Sequence, residues 1–172
     1  MAALGDRSHG LPEGARAQVV TVSDRSHGGA RHDTSGPLLA ELLAGIGFEV
    51  APVVVVPDEI AQIQAAIRAA VAAAYDLVVT TGGTGLAPRD VTPEATRPLL
   101  EREAPGLAEA LRHLPGAPAT AILSRGVAGT IGGTLVVNLP GSRGGVRDGV
   151  AVLAPVIEHA LAQLAGGGDH PA

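Results

Sequence analysis

The sequence predicts an α/β domain, a three-layer α/β/α sandwich around a mainly parallel sheet, and three observations carry that prediction. Short runs such as Val19-Val20-Thr21-Val22 and Leu77-Val78-Val79-Thr80 are almost continuously apolar, which fits strands covered on both faces. Between such runs lie segments whose apolar residues return with the 3.6-residue period of a helix. The apolar content, 46% of 172 residues, is nearly all aliphatic, with one Phe, one Tyr and no Trp. Branched side chains packed under Ala-rich helices suit such a core.

Each element follows in turn. Residues 1–15 are rich in Gly and charge without periodicity, so a disordered arm is expected there, a domain over 16–165, and a disordered tail over 166–172. The first strand stops at Ser23-Asp24-Arg25 and gives way to a Gly/His-rich loop. Leu38, Leu39, Leu42, Leu43 and Ile46 mark the first helix, with Ser35 as its expected cap, Pro37 in its first turn and Gly45 or Gly47 at its end. Residues 53–56 read as a second strand, and Ile60, Ile63, Ile67, Val71 and Ala74 as one face of a second helix. The third strand runs into Thr81-Gly82-Gly83-Thr84-Gly85. Thr92-Pro93-Glu94 opens a third helix, and Leu107, Leu111 and Leu114 form a further helical piece that Pro115 stops. Residues 119–133 leave two alternatives, a strand with a hairpin or a strand with a loop. Leu135-Val136-Val137-Asn138 is a strand ending at Leu139-Pro140-Gly141-Ser142, and one last helix carries Val146, Val150, Leu153, Ile157, Leu161 and Leu164 on one side.

Composition removes several function classes. A formal net charge of −5 argues against a general nucleic-acid binder, and the scarcity of aromatics removes stacking platforms for single strands. No apolar run is long enough to span a bilayer, and the start of the chain lacks the apolar centre of a signal peptide, so a cytoplasmic protein without membrane partners is expected. There is no Cys, which excludes thiolate nucleophiles and Cys-based zinc sites, and all twelve basic residues are Arg, which excludes a P-loop lysine and Schiff-base chemistry.

Three polar segments follow strand ends: Ser23-Asp24-Arg25, residues 80–90, and residues 138–142. In a mainly parallel sheet, ligands bind beyond the carboxyl ends of the strands, so topology draws these segments towards one edge. Thr81-Gly82-Gly83-Thr84-Gly85 can present successive amides as an anion cradle, or can be a tight strand-exit turn. Asp90 can hold Mg²⁺ beside phosphates or stabilise a turn, Arg89 can clamp a phosphate oxygen, and Thr92 reads best as a helix cap. Asp58 is explained by local rules as the cap of the second helix. Asn138-Leu139-Pro140-Gly141-Ser142 delivers a helix N-terminus, either an anion site or a turn capped by Ser142. Ser124 and Arg125 offer a hydroxyl and a guanidinium, which a surface salt bridge explains equally well. His27 and His32, with Asp24 and Asp33 nearby, match no metal-site spacing and read as a solvated loop.

With these segments in place, the chain resembles the Mog/MoaB-type molybdopterin-binding family of molybdenum cofactor biosynthesis, and also the gephyrin G domain. The likeness covers residues 17–165. It rests on Thr21-Val22-Ser23-Asp24-Arg25, Asp33-Thr34-Ser35-Gly36-Pro37, residues 80–93, Leu123-Ser124-Arg125 and Asn138-Leu139-Pro140-Gly141-Ser142, while residues 144–149 add a likeness to actinobacterial Mog proteins. The resemblance implies a molybdopterin adenylyltransferase, which uses MgATP to adenylylate the terminal phosphate of molybdopterin and releases pyrophosphate. It implies a homotrimer, Mg²⁺ held by Asp58 and Asp90 as the catalytic aspartates, and a nucleotide and phosphate loop at Thr81, Gly82, Gly83, Thr84 and Gly85. It places molybdopterin against Ser23, Asp24, Arg25, Ser124, Arg125, Asn138, Pro140, Gly141 and Ser142, with a molybdate-insertion enzyme as the downstream partner. Where the family often carries Lys or Pro after the Pro-Gly-Ser turn, this chain has Arg143, Gly144 and Gly145.

Two other functions compete: a protein that holds molybdopterin without catalysis, and a nucleotide pyrophosphate-bond hydrolase of the competence-damage type. The pair Asp58 and Asp90 favours catalysis over binding alone. A phosphate nucleophile is already ionised at neutral pH, so a site of this kind requires neither Lys nor Cys.

Overall fold

A computed structural model describes residues 10–166. Seven strands form one sheet: β1 (Arg16–Val22), β2 (Glu49–Val50), β3 (Val54–Val56), β4 (Leu77–Thr81), β5 (Arg102–Glu103), β6 (Ala128–Ile131) and β7 (Thr134–Leu139). The order is β2-β1-β4-β7-β6-β5, with β3 continuing the β2 edge along β1. Strands β1 to β4 and β7 pair in parallel, whereas β6 and β5 add an antiparallel edge. The helices are α1 (Asp24–His27), α2 (Ser35–Gly45), α3 (Ile60–Ala72), α4 (Thr92–Thr96), α5 (Pro105–Arg112), α6 (Arg143–Leu153) and α7 (Ile157–Leu164).

The three layers follow from the two-residue period of a strand. Val19, Val79 and Val137 point to one face and pack with Leu39 and Leu43 of α2, Val146 and Leu153 of α6, and Leu161 of α7. Their chain neighbours Val20, Val78 and Val136 point to the other face and pack with Ile63, Ile67 and Ala70 of α3 and Ala95 of α4. Both faces are therefore apolar, and the three central strands are buried almost throughout.

Several local expectations change in the fold. The last helical stretch is two helices, because Pro155 has no N–H to donate and the chain turns at residues 154–156 before α7 begins. Residues 119–133 resolve as the hairpin alternative: a 3-10 turn (Ala119–Leu123), then β6 and β7 joined through Gly132 and Gly133. Ser35 does not cap α2; the carboxylate of Asp33 accepts from the amides of Ser35 and Gly36 and from the Ser35 hydroxyl. The loop after β1 begins with the short helix α1, capped by Ser23, whose hydroxyl accepts from the Ser26 amide at 3.2 Å. At the amino end, Ala15 is buried and Leu11 packs against the core, so packing begins upstream of residue 16. Residues 1–9 and 167–172, most of the expected arm and tail, lie outside the described residues. No helix among the described residues is long and apolar enough to cross a membrane.

Candidate functional site

Strand register brings the polar segments together. Thr21 of β1 lies opposite Thr81 of β4, and Thr81 lies opposite Leu139 of β7, so three adjacent parallel strands end in one row. The chain leaves that row as Ser23, Gly82-Gly83 and Pro140-Gly141, and these exits frame a cavity of about 620 Å³. The volume falls within the usual range for small-molecule sites, and its position is the one expected of a mainly parallel sheet.

The glycine loop is shaped by its neighbours. Gly82 and Gly83 have φ of +104° and +65°, a backbone region that side chains disfavour. A Cβ on Gly82 would collide with the Val22 carbonyl, and one on Gly83 with the Thr92 hydroxyl. Thr92 is not the cap of α4: it is fully buried, its hydroxyl donates to the Gly82 carbonyl at 2.9 Å, and its amide donates to the Gly83 carbonyl at 3.1 Å. Thr81 donates from the opposite side to the Pro140 carbonyl at 2.8 Å. The turn is thereby pinned to both neighbouring loops. The amides of Gly83, Thr84 and Gly85 find no internal acceptor among the described residues, the condition for an anion cradle.

Across the cavity stands the start of α6. Ser142 caps this helix, its hydroxyl accepting from the Gly145 amide at 3.0 Å, and Gly141, Ser142, Gly144 and Gly145 all line the cavity. A Cβ on Gly141 would sit 3.1 Å from the Gly82 Cα, so the two loops touch through backbone. The positive end of α6 and the glycine loop thus face one space.

The carboxylates divide into two settings. Asp90 lines the cavity and accepts from the Ala87 amide at 3.1 Å, so it does make a turn while standing at the cavity. Asp58 is not the cap of α3, which starts without a side-chain cap; its carboxylate accepts from the Asp24 amide at 2.8 Å, and the Asp24 carboxylate accepts from the Asp58 amide at 3.0 Å. Burial pushes the Asp58 carboxyl above the ordinary Asp range. The Asp24 amide opposes the shift, and the negative charges of Asp24 and Asp90 add to it. Asp24 is lowered instead, chiefly by its hydrogen bonds from Arg89, whose Nε and Nη2 donate to the two carboxylate oxygens at 2.9 and 2.8 Å. Arg89, expected to clamp a phosphate, is therefore paired with Asp24.

The remaining sequence-derived candidates separate. Ser23, Thr81 to Gly85, Asp90, Ser124, Pro140, Gly141 and Ser142 line the cavity, whereas Asp24, Arg25, Asp58, Arg125 and Asn138 do not. Arg25 is exposed. Asn138 is 2% exposed and fully used inside, its Nδ2 donating to Thr80 and Thr96 hydroxyls at 2.9 and 3.0 Å and its Oδ1 accepting from the Val127 amide. Asp58 lies behind the glycine turn, its Oδ1 3.1 Å from where a Gly83 Cβ would be. Sequence reasoning missed the apolar wall, Leu111, Pro118, Ala121 and Leu123, because Leu111 read as an ordinary helix-face position and residues 119–133 left two alternatives open. It also left His32 in a solvated loop and did not single out Arg31; both are exposed, yet both border the cavity. No group of three or more His, Asp or Glu able to hold a metal occurs among the described residues.

Residues 18–159 match the family model described as a probable molybdopterin binding domain. A molybdenum cofactor biosynthesis bifunctional protein of Synechococcus elongatus is 44% identical over 163 residues, covering 94% of this chain and 50% of that protein. The chain spans about half the length of the first curated relatives it matches. Molybdenum cofactor biosynthesis protein B of Staphylococcus carnosus is 38% identical, covering 90% of this chain and 93% of that one. Among solved structures, a molybdopterin biosynthesis protein from Mycobacterium abscessus superposes with a TM-score of 0.84 at 54% identity, covering 90% of this chain and 98% of that chain. With the family model covering most of its length and with relatives similar end to end, the chain belongs to the molybdopterin-binding-domain family of molybdenum cofactor biosynthesis proteins.

Proposed function

We propose that this protein is a molybdopterin adenylyltransferase that joins AMP from MgATP to the terminal phosphate of molybdopterin and releases pyrophosphate. The observation that carries the reading is the pairing of two amide-rich arcs, Gly83 to Gly85 and the start of α6, across one cavity. Such a site is suited to two anionic ligands held side by side. A phosphate oxygen of the pterin would attack the α-phosphorus as the bond to pyrophosphate breaks, which concentrates negative charge where these amides point. Ser142 and the α6 terminus would hold the pterin phosphate, and the apolar wall of Leu111, Pro118, Ala121 and Leu123 would supply the contact area that aromatics do not provide here.

The residues present fit a magnesium ion. Mg²⁺ takes one or two carboxylates and completes its shell with water and substrate phosphates, so it needs no all-protein cage. Asp90 at the cavity and Asp58 behind the glycine turn would hold it; Asp58 is raised chiefly by burial, and a cation would offset the lesser push from the negative charges of Asp24 and Asp90. When bound, the ion would neutralise phosphate charge during transfer. Arg89, by neutralising Asp24, keeps a third carboxylate from adding its full charge to that corner.

The test supplies molybdopterin and MgATP to purified protein and measures pyrophosphate and adenylylated pterin. Asp90→Asn is expected to abolish turnover and keep pterin binding; a folded wild-type protein that binds pterin and forms no product would sink the catalytic reading in favour of a holding role. Sedimentation as a homotrimer is expected as well.

A further inference from the structure

Residues 83–94 carry both the cradle amides and Asp90, and one residue outside the loop fastens them at four points. The amide of Arg125 donates to the Thr84 carbonyl at 2.8 Å. Its Nε donates to the Gly85 carbonyl at 2.8 Å, its Nη2 to the Asp90 carbonyl at 2.7 Å, and its Nη1 to the Glu94 carboxylate. All three guanidinium nitrogens are thus committed to the loop, at its start, at Asp90 and at its end. The side chain is 34% exposed and faces away from the main cavity, bordering a second one of about 400 Å³ behind residues 124–126. Arg112 braces the segment from there, its Nη1 donating to the Ser124 and Gly126 carbonyls at 3.3 and 3.2 Å.

Other anchors of the loop are weaker or local. The Arg89–Asp24 pair is exposed, 60% and 41%, and such pairs hold little against solvent. Apart from the bond that Arg125 supplies, the hydrogen bonds of Asp90 among the described residues run only back to Ala87. We propose that Arg125 is a positioning residue that sets Asp90 at the cavity by clamping both ends of its loop, and that it does not contact substrate. The substrate-binding role expected for Arg125 is replaced by this one, which deepens the adenylyltransferase reading and rests on it for the duty of Asp90. A lysine cannot substitute, since one ammonium nitrogen cannot reach three acceptors spread along a loop.

The experiment compares the full-length wild-type chain with Arg125→Lys and Arg125→Ala. Hydrogen exchange is followed, without added metal, at the Asp90 and Thr92 amides, which bond to the Ala87 and Gly83 carbonyls, with α3 as internal control. Exchange in the loop is expected to quicken roughly tenfold in Arg125→Lys and further in Arg125→Ala, with α3 unchanged. In steady-state kinetics kcat should fall at least about tenfold while the molybdopterin KM holds, with Arg125→Lys keeping more activity than Arg125→Ala. Unchanged exchange with a raised KM would make Arg125 a ligand contact and overturn the proposal; unchanged exchange and kcat would mean that the loop holds itself. If the wild-type protein makes no product, the exchange arm decides the clamp alone while the adenylyltransferase reading fails separately. If Arg125→Ala does not fold, Arg125→Lys and Glu94→Gln carry the test, the latter with a smaller, two- to threefold quickening expected on loss of one charged contact.

Discussion

Removing the Asn138 side chain separates a structural role from a ligand-binding one. Asn138→Ala deletes two donated bonds, to Thr80 and Thr96, and strips the Val127 amide of its acceptor, all in a fully buried layer between β7, β4 and α4. Two neutral hydrogen bonds at about 1 kcal/mol each, plus about 2 kcal/mol for the orphaned amide, predict a loss of about 4 kcal/mol. For a chain of this size that corresponds to a fall in Tm of roughly 8–16 °C. Urea denaturation followed by circular dichroism gives the free energy, and calorimetric titration with molybdopterin gives the affinity of the folded fraction. Asn138→Asp should be at least as damaging at neutral pH, because it keeps the acceptor for Val127 but loses both donors and buries a charge. Affinity of the folded fraction should stay close to wild type. A loss of stability under about 1 kcal/mol together with a large loss of affinity would refute the reasoning and return Asn138 to the binding surface.

Three further predictions concern Asp58, the glycine turn and the start of α6. With Asp58 raised above its unfolded value, its favourable contribution to stability is complete below the ordinary Asp range near 3.8 and is lost as pH rises through its folded value. Metal-free Asp58→Asn should therefore gain stability at pH 7 and show no gain below that range, while turnover falls; equal gains at both pH values would contradict burial and like charge as the cause. Gly83→Ala forces a Cβ into the left-handed region and against the Thr92 hydroxyl, so a loss of about 1–2 kcal/mol or more is expected, with weakened nucleotide binding by calorimetry. Gly144→Ala, at a helical position with open space, should cost nothing in the same denaturation experiment.

The layers, and the edge at which the site lies, are legible in the residues alone. Continuous apolar runs at residues 19–22, 77–79 and 135–137 could only be strands covered on both sides, and their polar exits had to meet at the carboxyl end of a parallel sheet. Ser142 was legible too, because a cap is decided by residues three positions apart. The work of residues whose partners lie far along the chain emerges only in the fold. Local rules made caps of Thr92 and Asp58, yet their partners are ten and thirty-four residues away; the ion pair expected of Arg125 does form, with Glu94, but its other acceptors lie up to forty-one residues away. Asn138 looked like a turn residue at a ligand site, and only its burial between Thr80, Thr96 and Val127 made it a strut. Hydrophobic period and capping are properties of neighbours in sequence, so they can be read from it. A buried polar group answers instead to whichever donor or acceptor the fold brings within about 3 Å, and that is settled only when the strands have paired.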